Sequence, residues 1–69
     1  MPDDPHVILT GRIVRERGMA ILCAIGDREE WLPRTQLRAG TTVQRAGEEG
    51  RIVIPRWLAD KLGLSDSDT

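Results

Sequence analysis

The 69-residue chain predicts an α+β domain: a small, strongly bent antiparallel sheet or open barrel of about five strands with one C-terminal helix. Three observations carry that expectation. Residues 19–25 are the longest apolar run, and Gly18 and Gly26 bracket it in the manner of a strand. Turn residues recur at Gly18, at Gly26-Asp27 and at Gly47-Glu48-Glu49-Gly50. Pro55 and Gly63 then stand at the two ends of the one helical pattern.

Residues 7–17 read as the first strand. Val7, Leu9 and Ile13 fall on one face, and Thr10, Arg12 and Glu16 fall mainly on the other. Ile8 and Val14 interrupt the alternation, and Gly11 is placed where a bend or bulge would switch the faces. Residues 19–25 carry no polar side chain but the Cys23 thiol. The run is too short to cross a membrane. It fits a fully buried central strand, although its periodicity also admits a buried helix. After the turn at Gly26, Glu29 to Leu32 return as a third strand that brings Trp31 back over the apolar run.

Pro33 ends that strand, and residues 33–37 suit a turn or a single turn of helix. Residues 41–46 read as a fourth strand on the β-branched Thr41, Thr42 and Val43. Gly47 to Gly50 would connect it to a last strand over residues 51–54. Pro55 opens the helix, with Trp57, Leu58, Leu62 and the following Leu64 on its apolar side. Gly63 is its left-handed stop, against which Leu64 packs back. Trp57 is expected to be a core anchor. The domain thus spans residues 6–64, between a loosely attached tail over 1–5 and an acidic tail over 65–69.

A chain this short stabilises a single core only narrowly. Cys23 has no partner for an internal disulfide, and His6 is the only histidine, so neither a disulfide nor a zinc site is expected to help. A lone thiol in an apolar strand, with no basic-then-apolar leader in residues 1–5, suggests a cytoplasmic setting and no membrane partner. The net charge is −1, but aspartates sit in both tails. Between residues 5 and 65, ten basic residues face seven acidic ones, a net of +3. Nine of the basic residues are arginine, whose planar fork suits carboxylate and phosphate.

No catalytic set emerges. Cys23 lacks an adjacent base. Glu29-Glu30 and Glu48-Glu49 flank turns, where carboxylates are solvated rather than tuned for acid–base work. Gly47 and Gly50 have the spacing of a phosphate-clamping GxxG loop, but glutamates fill the middle. No cofactor is expected. The candidate partner-binding residues are Arg12, Arg15 and Arg17 on the first strand, with Arg34, Arg38 and Arg45 further on. Such a basic stripe suits a nucleic-acid backbone, whereas stacking requires exposed aromatics and both tryptophans are expected in the core.

Two segments carry a resemblance. Trp31-Leu32-Pro33-Arg34-Thr35-Gln36-Leu37 is similar to a Trp-(Leu/Ile)-Pro-Lys-Ser-Gln-(Ile/Leu) segment, and residues 55–64 to a Pro-x-Trp-Leu-Ala-x-x-x-Gly-Leu ending. Both occur in small bacteriophage and prophage proteins, where Lys-Ser stands in place of Arg34-Thr35. That resemblance implies a non-enzymatic accessory protein in a bacterial host cytoplasm. Its expected role is to cover a surface of a host defence complex, as anti-CRISPR inhibitors do, with a host protein or ribonucleoprotein as partner. Residues 50–64 separately resemble the strand-Pro-helix element of AbrB/MazE-type DNA-binding domains. That similarity implies the alternative of an Arg-rich nucleic-acid-binding small barrel or antitoxin fragment. Monomer and homodimer are both compatible with the sequence.

Overall fold

The computed structural model describes residues 5–64. Four strands form one antiparallel open sheet, with a short helix at the C-terminal end, so the protein is α+β. The strands are β1 (His6–Arg17), β2 (Ala20–Ile25), β3 (Arg28–Pro33) and β4 (Glu49–Pro55). Their spatial order is β3-β2-β1-β4. A 3-10 turn, Arg34–Gln36, follows β3, and the helix α1 spans Arg56–Leu62. The expectations for residues 1–4 and 65–69 lie outside the described residues.

The first strand follows the alternation from Val7 to Ile13. Val7, Leu9, Gly11 and Ile13 face inward, and Ile8 is left exposed on the other side. Gly11 does not switch faces, contrary to the sequence expectation. Its role is close approach: a Cβ there would lie 2.6 Å from the Ala24 carbonyl oxygen. The bulge comes later, between Ile13 and Arg15, where β1 has one residue more than β2. Residues 47–48 bond both backbone groups of Ile13: Gly47 N donates to its carbonyl at 2.7 Å, and its own N–H reaches Glu48 O at 3.0 Å.

The apolar run is a strand, but only one of its faces is buried. Ile21 and Cys23 are fully enclosed, while Ala20, Leu22 and Ala24 on the opposite face are only partly buried. One layer of side chains cannot cover both faces of a sheet this small. The core lies on the inner face, where Leu9, Ile13, Ile21, Leu32, Ile52 and Ile54 meet Leu58, Ala59 and Leu64 of the helical end. Residues 63–64 close α1 as expected. Gly63 is left-handed (φ 75°), its N–H donates to Asp60 O, and Leu64 N donates to Ala59 O.

Two corrections concern large side chains. Trp57 is 55% exposed and Trp31 40% exposed, so neither anchors the core. Leu58 and Ala59, the next residues of the helix, take the inward positions expected of Trp57.

A third correction removes the expected fifth strand. Residues 41–46 run irregularly beside β4 and are stitched to it partly by side chains. Arg51 N donates to Thr42 Oγ1 at 2.9 Å, and Thr42 N donates to Arg51 O at 2.9 Å. Val53 N donates to Thr41 Oγ1 at 3.0 Å, and Arg38 N donates to Val53 O at 2.8 Å. Val43 is fully buried and pins this segment to the core.

Candidate interaction surface

The outer face of the sheet is organised by the bulge. With strict alternation, Arg12 and Arg15 would point to opposite faces. The extra residue at Val14 removes that conflict. Arg12 lies opposite Ala24, Arg15 opposite Leu22 and Arg17 opposite Ala20, all away from the buried Ile21 and Cys23. Trp31 pairs with Leu22 from the other side. The central row of the outer face therefore reads Trp31, Leu22, then Arg15 beside Val14. Pro33, Ala20 and Arg17 form the row on one side, and Glu29, Ala24, Arg12 and Glu49 the row on the other. The helix does not cover these rows, because its buried residues belong to the inner core.

The side chains of Arg12, Arg15 and Arg17 make no hydrogen bond or ion pair among the described residues. The ion pairs there are Arg28–Glu30 at 2.9 Å and Arg34–Glu16 at 2.8 Å. The sequence-derived arginine set therefore divides. Arg34 is a brace: Nη2 holds Glu16, and Nη1 donates to Gln44 O at 2.7 Å. Glu16 in turn accepts from Ala46 N at 2.9 Å, which ties the end of β1 to the segment beside β4. Arg45 lies next to this brace, in a shallow cleft with Gln44. Arg38 donates to Gln36 Oε1 at 3.3 Å and Thr35 O at 3.4 Å.

Cys23, Glu48 and Arg28 have structural surroundings. Cys23 is fully enclosed, and burial pushes its thiol up to about 11, which suppresses the nucleophilic thiolate at neutral pH. Glu48 accepts from Gln44 N at 2.6 Å and Arg45 N at 3.0 Å, and these backbone bonds lower its pKa. It therefore closes a turn instead of lining a phosphate loop. Arg28 joins the β2–β3 turn to the end of α1 by donating to Gly63 O at 3.0 Å. Among the described residues, no group of three or more His, Cys, Asp or Glu side chains is arranged to hold a metal, and no helix is long and apolar enough to cross a membrane.

Sequence reasoning missed Trp31, Leu22 and Val14 as surface residues. One signal was available. A two-residue turn at Gly26-Asp27 sets Leu32 opposite Ile21, and Trp31, one position away, must then point outward. No family model, curated protein or solved structure matches this chain.

Proposed function

We propose that this protein is a non-enzymatic binding module that covers a surface of a host protein or ribonucleoprotein complex with the outer face of its sheet. The observation that carries this reading is the row of Trp31, Leu22 and Arg15, flanked by Arg12 and Arg17, on a face that the helix leaves open. Tryptophan and arginine are enriched at the centres of interfaces and dominate their energetics. The similarity of residues 31–37 and 55–64 to small phage proteins supports an inhibitor of a defence complex as the biological setting.

Affinity capture from host lysate tests the reading, with the wild type compared against a Trp31→Ala/Arg15→Glu variant. The wild type should retain a complex that the variant loses while keeping its thermal melt. Equal capture by the two proteins would place the working surface elsewhere.

A further inference from the structure

We infer that the outer face takes single-stranded nucleic acid, with Arg12, Arg15 and Arg17 on successive phosphates and Trp31 stacking on a base. This rests on the outer face being the working surface, and it names what that face contacts. The charge argument comes first. Three guanidinium groups sit on one strand with no carboxylate partner among the described residues, so a phosphate gives up no internal ion pair when it binds them.

Spacing comes next. Successive rows on one face of a strand are about 7 Å apart. That is the scale of neighbouring phosphates in an extended single strand. Trp31 stands on β3, two strands across from β1, or about 10 Å away. Between them the floor is Ala20, Leu22 and Ala24, which is shallow enough for a nucleotide to lie across it with its phosphate at β1 and its base at the indole.

The polar arrangement limits the footprint. Glu29 and Glu49 occupy the row of Arg12, so the charge favours the end of the face that carries Arg15 and Arg17. A strand tracking β1 leaves the face near that row. The site is therefore short, at the low end of the about 4–16 nucleotides that single-strand modules occupy. Duplex fits poorly: this face offers no helix or ribbon to enter a groove, and an indole stacks only on a base already out of its own stack. An acidic protein surface would also satisfy the arginines, and it is an outcome of the test.

The test is fluorescence anisotropy with labelled oligothymidylate and oligouridylate of about 20 nucleotides, and a duplex of the same length, at low salt. Single strands should bind with micromolar affinity, and log K should fall against log salt with a slope of about −2, as three phosphate contacts require. Trp31→Ala should weaken binding about tenfold or more, with Trp31→Phe restoring most of it. Arg15→Ala should make the slope shallower by about 0.7. Arg15 is exposed, so this variant stays informative even if Trp31→Ala fails to fold. Three results would overturn the inference: no binding up to about 100 μM, affinity indifferent to both substitutions, or duplex bound as tightly as single strand. A nuclease-resistant protein partner captured through Trp31, with no oligonucleotide binding, would remove this inference and leave the outer-face reading intact.

Discussion

The two edges of the sheet are finished in different ways. At β4, the outward backbone groups of Arg51 and Val53 are all bonded, by Arg38, Thr41 and Thr42 of the segment running alongside. At β3 no strand follows among the described residues. The two-residue turn makes Ile25↔Arg28 a hydrogen-bonded pair, so Arg28, Glu30 and Leu32 bond to β2. The N–H and C=O groups of Glu29 and Trp31 then point away from the sheet. What guards this edge is chemistry rather than cover: Arg28, Glu29 and Glu30 are charged, and Pro33 donates no hydrogen bond. The lesson is that a small sheet can close one edge without a further strand, while the opposite edge stays open beside the exposed Trp31.

The largest expected effect that tests this contrast is at Val43. Val43→Ala should destabilise the protein by about 2 kcal/mol in denaturant unfolding, because it removes buried methyl groups that little else can replace. It should also release the Arg51 and Val53 amides to faster hydrogen exchange. If their protection is unchanged, the segment is held mainly by its hydrogen bonds. Thr41→Val keeps the shape but removes the acceptor for the part-buried Val53 N–H, and should cost about 1–2 kcal/mol. Exchange at Val53 should rise more than at Arg51, whose acceptor is Thr42.

A smaller effect is expected from Glu48. Its folded pKa is lowered, so its stabilisation is present above the unfolded carboxylate value and is lost as pH falls through the folded one. Glu48→Gln should flatten that part of the acid limb, as followed by melting temperature against pH. The smallest change in stability is expected at the open edge. Glu29→Thr/Glu30→Thr should shift monomer stability by no more than about 1 kcal/mol, with the loss of the exposed Arg28–Glu30 pair included. Sedimentation should instead show new self-association, since the edge loses its charges. A variant that stays monomeric would mean that Pro33 and strand twist protect the edge unaided.

Much of the fold was legible because it is locally determined. Gly18, Gly26 and Gly63 mark the turns and the helix stop, and alternation over residues 7–13 identifies the core face. The expected fifth strand failed because Thr41 and Thr42 have the residue types of a strand yet use their hydroxyls to bond the neighbouring one. The tryptophans misled because composition counts them as core material, whereas register and the buried Leu32 and Leu58 decide where they point. The placement of the arginines was not legible in the sequence. Bringing Arg12, Arg15 and Arg17 to one face requires the bulge at Val14, and pairing Arg34 with Glu16 requires knowing that the two lie side by side.

The pairing of His6 with Pro55, together with the hydrogen bond from Arg56 N to the Pro5 carbonyl, fastens the start of β1 to the start of the helix. Arg17 lies at the far end of the same 12-residue strand, in a molecule whose longest dimension is 34 Å. A dye, bead or surface tether attached at Pro5 would therefore sit at the opposite end of β1 from Arg17. The protein can be immobilised from that end for biosensing with the Arg17 end of its outer face away from the support.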